Sequence, residues 1–304
     1  MTKRDTAYRA IVLFFSAAAL GLAPQTHAQA APGATGSSQS IVLPLEPYAD
    51  TPLKTVAVTM GGKTVPFLFD TGGGLTVVTP EAADTLGCTP FGQVTGFRAD
   101  GEKITEKRCG PVALRIGAYE TTDEVGVFDL MGLIRKQVEH ARKAGRDVPM
   151  PPTIGGLVGL SSFKGRIVTL DYAHDRIVVE TPASARARTR SMQPVTARVV
   201  TEASGSMNVL LQARAQTGTL WLQVDSGNNG PTFLSPHAAG QLGIKLPKDK
   251  QESLDIDLIG LGKVAASVQL RPMIYDGQLG IGTIRKLVLT IDLADGRAWA
   301  ELSK

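Results

Sequence analysis

The chain repeats itself, and this constrains its fold more than any other feature. One unit reads Pro66-Phe67-Leu68-Phe69-Asp70-Thr71-Gly72-Gly73-Gly74, continues Leu75-Thr76-Val77-Val78-Thr79-Pro80, and ends at Leu86-Gly87. A second reads Trp221-Leu222-Gln223-Val224-Asp225-Ser226-Gly227-Asn228-Asn229-Gly230, continues Pro231-Thr232-Phe233-Leu234-Ser235-Pro236, and ends at Leu242-Gly243. The second loop carries one extra residue. A further pair of segments repeats at a constant offset of 121. Gly156, Gly159, Thr169, Asp171, Ala173, Arg176 and Glu180 recur as Gly277, Gly280, Thr290, Asp292, Ala294, Arg297 and Glu301. Seven identities in one ungapped frame make the chain two copies of one unit.

Each copy opens with a hairpin pattern. Apolar runs flank Gly61-Gly62 in the first and Thr217-Gly218 in the second, and such residues between strands signal turns. Each copy then ends in a short helix. Thr79 and Ser235 can cap it, because a hydroxyl accepts from an unpaired amide of the first turn. Pro80 and Pro236 suit the first helical position, and Gly87 and Gly243 the stop. Glycine at 33 of 304 residues and aromatics at 5% fit a turn-rich, strand-rich chain. Asp70 and Gly159 lie 89 positions apart and Asp225 and Gly280 lie 55 apart, so the first copy holds 34 extra residues. Leu130, Leu133, Ile134, Val138 and Ala141 recur at helical spacing, which predicts an inserted helix within about 129–152. The expected organisation is a first lobe over 41–181, a linker over 182–194 where Ala, Ser and Arg alternate without periodicity, and a second lobe over 195–304.

Residues 1–28 read as a secretory signal. Lys3, Arg4 and Arg9 precede an apolar run from Ala10 to Ala23, and Thr26-His27-Ala28 offers small residues for cleavage. Residues 29–40 read as a flexible leader. A periplasmic or secreted chain follows, with no membrane span once the signal is removed. Lys3, Arg4 and Arg9 against Asp5 contribute half of the net charge of +4, so the residual charge gives no reason to expect a nucleic-acid partner. In an oxidising compartment Cys88 and Cys109 are expected to pair, the other reading being two buried thiols. His140, His174 and His237 have no metal-ligand spacing, and no motif names a cofactor.

A lone Asp-(Thr/Ser)-Gly tripeptide is a turn. Two of them at matching repeat positions, each after an apolar strand, place Asp70 and Asp225 face to face across a pseudo-twofold axis. Two touching carboxyls cannot both ionise cheaply, so they share a proton over a wide pH range. The ionised partner can take a proton from water and the protonated one can donate to a carbonyl oxygen. Thr71 and Ser226 can bond the opposite loop, and Gly72 and Gly227 let the backbones approach.

These motifs, with Leu157-Val158-Gly159 and Gln278-Leu279-Gly280 downstream, resemble the retropepsin-like aspartic proteases in a bilobal, single-chain bacterial form. The resemblance spans most of 41–304 outside the insertion. It implies a mainly β intrachain pseudo-dimer of two acid-protease lobes, with Asp70 and Asp225 as the catalytic pair and a peptide or protein as substrate. With both half-sites in one chain, a monomer suffices. Family members close a hairpin flap over the substrate. Val94–Gly101 is the candidate here, with Gly96, Phe97, Asp100 and Gly101 at its turn, and Ile259-Gly260-Leu261-Gly262 is a shorter counterpart. The second copy departs from the family pattern in its Asn228-Asn229-Gly230 loop, which is expected either to bulge or to disturb the pair, and in Gln278 where an apolar residue is expected. Two other readings stand beside an endopeptidase: a catalytically inactive peptide- or ligand-binding module of the same fold, and a serine acyl-enzyme built on Ser161-Ser162-Phe163-Lys164.

Overall fold

The computed structural model describes residues 39–247 and 250–303. The expected signal and nearly all of the leader lie outside these residues. The chain is mainly β, in two lobes built on matching plans. In the first lobe the hairpin Lys54–Met60/Lys63–Phe69 leads an eight-stranded sheet, in which Gly156–Val158 lies between Lys63–Phe69 and Val77–Val78. Pairing of Lys54–Met60 with Lys103–Ile116 closes it. The second lobe repeats this in seven strands, with Gly277–Leu279 between Gly218–Val224 and Thr232–Leu234, and Met207–Ala215 meeting Gln251–Leu258.

A six-stranded sheet joins the lobes, with three strands from each. Ile167–Asp171 pairs antiparallel with its repeat mate Leu287–Asp292. Thr169 stands opposite Thr290, and their hydroxyls are 2.8 Å apart. The offset of 121 read in the sequence is thus the separation of two residues that touch on the pseudo-twofold axis. One apolar core runs through both lobes, from Phe67 and Phe69 through Phe163 and Tyr172 to Leu222 and Ile291.

Among the described residues there are five α-helices, short except one. Helix α1 (Pro80–Thr85) starts at Thr79, whose hydroxyl accepts from Ala82 N at 3.3 Å. Helix α2 (Leu130–Lys143) is the insertion. Asp129 caps it by accepting from Gly132 N at 2.7 Å, and Gly145 leaves it at φ +75°. Helix α3 (Pro182–Thr189) lies within the stretch 182–194 expected as a linker. Thr181 and Ser184 form a reciprocal cap, and only Ala185 is buried, so there was little apolar pattern to read. Helix α4 (Pro236–Gln241) matches α1, with Ser235 accepting from Ala238 N at 3.1 Å. Helix α5 is the single turn Ile281–Ile284.

Cys88 and Cys109 form a disulfide across 21 residues of chain. It ties the end of α1 to the long strand Lys103–Ile116. Replacing both by Ser is expected to cost about 3 kcal/mol in the chain-entropy model, read as a lower urea midpoint. Among the described residues no helix is long and apolar enough to cross a membrane.

Candidate active site

Asp70 and Asp225 each follow the last residue of a strand, Lys63–Phe69 and Gly218–Val224. Each backbone amide is fixed by the matching neighbour. Asp70 N donates to Val158 O at 3.0 Å and Asp225 N to Leu279 O at 3.2 Å. The turns then fold back on the carboxylates. Asp70 Oδ1 accepts from Gly72 N and Gly73 N, both at 2.9 Å. Asp225 Oδ1 accepts from Gly227 N at 3.0 Å and Asn228 N at 3.1 Å. The extra residue of the second loop leaves this geometry intact. Asn228 stands where Gly73 does and holds the bulge itself, through Nδ2 to Pro231 O at 3.0 Å and Oδ1 from Gly230 N at 2.9 Å.

The loops grip one another. Thr71 Oγ1 donates to Val224 O at 2.6 Å and accepts from Ser226 N at 3.0 Å. Ser226 Oγ donates to Phe69 O at 2.9 Å and accepts from Thr71 N at 3.0 Å. These four bonds bring the carboxyls together, and Asp70 and Asp225 are each only 2% exposed. A Cβ at Gly72 would lie 2.3 Å from Asp225 Cγ, and one at Gly227 would lie 2.5 Å from Asp70 Cγ. Only glycine fits at either place.

Burial pushes Asp70 up to about 6, against its bonds from the Gly73 and Gly72 amides. Asp225 is raised well above the usual carboxylate range by burial first and by the charge of Asp70 second. The pair therefore holds one proton between its two ionisations. Three acids elsewhere move the same way, and burial is the first cause in each, Asp123 being raised against bonds from Ser162 and Ser161. Burial raises Glu106 on the strand Lys103–Ile116 to about 7, and Glu202 to about 7. A carboxyl raised on folding binds protons that the unfolded chain releases. Its stabilisation is complete below about pH 4 and is lost as pH rises through 6 to 7. Asp171 is held low because bonds from His174 and Arg176 outweigh its burial, and it acts only below that window. The thermal midpoint should therefore be higher at pH 5 than at pH 7.5, and Asp70→Asn should narrow the gap. Equal midpoints in wild type would refute the assignment.

The flap candidates lie on the hairpin Phe91–Phe97/Lys103–Ile116, with Gly96 opposite Ile104 and Phe97 opposite Lys103. Its turn closes through Gly101 N to Arg98 O at 2.8 Å, with Gly101 at φ +88°. The tip lands on the second lobe. Ala99 is fully buried against Phe233, Met273 and Tyr275, Ala99 O accepts from Ile274 N at 2.8 Å, and Asp100 pairs with Arg271 at 3.4 Å. The 259–262 turn is not a second flap. It joins Gln251–Leu258 to Gly262–Leu270, as Gly117 joins its two strands in the first lobe, and a Cβ on Gly260 would meet Pro194 O at 2.2 Å.

Side chains two apart on a strand share a face, so Leu68 shares that of Asp70 and Gln223 that of Asp225. Leu68 packs with Leu157, Val77 and the α2 residues Leu130, Ile134 and Val138 in one buried cluster. The insertion therefore covers the apolar floor beside Asp70. Beside Asp225 the matching positions are Gln223 and Gln278, buried and bonded to each other at 2.7 Å. The repeat alignment sets these amides against Leu68 and Leu157, which is the signal by which they could have been singled out as a pair. Another group missed from the sequence is Asp123. Ser161 Oγ and Ser162 Oγ donate to it at 3.0 and 2.7 Å, and Ser161 Oγ also accepts from Thr76 N at 3.0 Å. Ser161 is thus buried in a network that holds the Asp70 loop while Lys164 is exposed, which removes the acyl-enzyme reading.

Residues 56–161 match the family described as "Aspartyl protease". Among solved structures, Basic 7S globulin from soybean is 12% identical with a TM-score of 0.50, covering 88% of this chain and 95% of its own. Conglutin gamma, a unique basic 7S globulin from lupine seeds, is 11% identical over the same shares with a TM-score of 0.49. No curated protein matches. The described residues form a bilobal, acid-protease-like fold, and residues 56–161 of its first lobe match an aspartyl protease family.

Proposed function

We propose that the chain is an exported aspartic endopeptidase with Asp70 and Asp225 as its catalytic pair. The observation that carries this reading is the symmetric grip, which holds two buried carboxyls at the meeting of the lobes. In the singly protonated pair the ionised carboxylate takes a proton from a water bound between the two. The oxygen attacks the scissile carbonyl carbon while the protonated partner donates to the carbonyl oxygen. The carboxyl that took the water proton gives it to the nitrogen of the tetrahedral intermediate, the other carboxylate takes back a proton from the intermediate's hydroxyl as the C–N bond breaks, and the pair returns to holding one proton. The backbone donors on each Oδ1 fix the carboxylates in place, so little reorganisation accompanies the reaction. The disulfide fits an oxidising compartment.

A binding module is the second reading. Its support is that the flap tip is bonded to the second lobe and α2 covers Leu68 and Leu157. Incubation of the purified chain with a mixed peptide library, scanned from pH 3 to 8, separates the two. Cleavage inside peptides supports the endopeptidase. Tight peptide retention without cleavage at any pH supports the module.

A further inference from the structure

We propose that Gln278, oriented by Gln223, determines specificity on the Asp225 side of the cleft, selecting a substrate side chain that donates a hydrogen bond. The proposal rests on the endopeptidase reading and names its substrate class. Its starting point is an asymmetry between the copies. Leu68 pairs with Leu157 in the first lobe, and Gln223 pairs with Gln278 in the second. The fold accepts leucine at both positions, so the amides are not required by the architecture.

The direction of the amide chain is fixed by chemistry. Gln223 Nε2 lies 3.3 Å from Gly72 O, a backbone carbonyl that can only accept. This nitrogen also donates to Asn208 Oδ1 at 2.8 Å. Gln223 Oε1 therefore faces the other way, where it accepts from Gln278 Nε2 at 2.7 Å. Gln278 is left presenting its Oε1. That atom is buried and has no hydrogen-bond partner among the described residues, on a side chain 1% exposed. A buried acceptor of this kind calls for a donor.

Its surroundings place that donor in the substrate. Gln223 stands two residues before Asp225 on the same face, about 7 Å along the strand. Phe233, opposite Gln278 in the register, is the residue on which the flap tip Ala99 rests. The proposal takes an extended peptide under the flap and across the carboxyls to pass over this amide. The other half of the floor is closed by α2, so polar discrimination falls to the Asp225 side. Side chains that can donate to this oxygen include those of Ser, Thr, Asn, Gln and Lys.

The test compares kcat/KM for peptide pairs that differ only in a donor side chain against its near-isostere, Thr against Val and Gln against Met, at each position flanking the cut. Wild type should favour the donor by about 10- to 100-fold at one position. Gln278→Met, close to isosteric, should abolish or invert that preference, and Gln278→Leu, which copies Leu157, should do the same. A second arm reads peptide retention on the Asp70→Asn chain with and without Gln278→Met, which needs no turnover. Cleavage with a preference that Gln278→Met leaves unchanged overturns this proposal and leaves the endopeptidase standing. Retention with a donor preference that Gln278→Met removes, in a chain whose wild type cuts nothing, overturns the endopeptidase and keeps the subsite. Neither cleavage nor selective retention overturns both.

Discussion

An Asp225→Asn chain should fold normally and lose at least about 10³-fold in kcat/KM for peptide hydrolysis, within the range for removing a positioned acid or base. Asn keeps the shape of the side chain and can still accept from Gly227 N and Asn228 N. What it cannot do is share a proton with Asp70. Because burial already opposes ionisation of Asp225, the neutral amide should not lower the thermal midpoint at pH 7. Asp70→Asn should behave alike, since the two half-sites have the same backbone bonds. The check is steady-state kinetics beside thermal melting of the same samples. An unchanged melt with lost cleavage is the expected combination.

Gly72→Ala should be as damaging to activity and worse for stability. The new methyl would sit 2.3 Å from Cγ and Oδ1 of Asp225. The loop cannot retreat, because Thr71 is held to Val224 O and Ser226 on the other lobe. Overpacking of this kind costs about 1–3 kcal/mol, and the carboxyl it displaces is half of the dyad. Gly240→Ala is the control. Gly240 lies within α4, where an added Cβ meets nothing within 4 Å, so alanine should stabilise by up to about 1 kcal/mol through helix propensity. Urea midpoints of the two variants should move in opposite directions.

Local chemistry made much of this readable from the residues. Thr79-Pro80 and Ser235-Pro236 begin helices because a hydroxyl before a proline serves the first turn wherever the chain lies. The α2 pattern was visible because Ile134, Val138 and Ala141 face one buried cluster. Asp70 and Asp225 were visible because the repeat doubles them. What escaped was set by partners distant in sequence. The flap tip lands on Phe233, Met273 and Tyr275, more than a hundred residues on, and no turn signal encodes a landing site. Ile41–Pro44 reads as an apolar tetrapeptide until Arg176–Glu180 pairs with it in the joining sheet. Helix α3 was hidden because its capping box, not an apolar stripe, defines it. Gln278 stood out alone as a departure, and its meaning came only with Gln223 and Gly72 beside it.

The central claim is that two carboxyls sharing one proton hydrolyse peptide bonds. It is tested most directly by the pH dependence of kcat/KM for one cleaved peptide, measured on wild type, Asp70→Asn and Asp225→Asn. The singly ionised pair is the active form. Wild-type activity should therefore rise through the first ionisation, with Asp70 raised to about 6, and fall through a second at higher pH. Both variants should lie flat at the background rate. A wild-type rate that climbs without a falling limb, or a bell that survives in either variant, would contradict it.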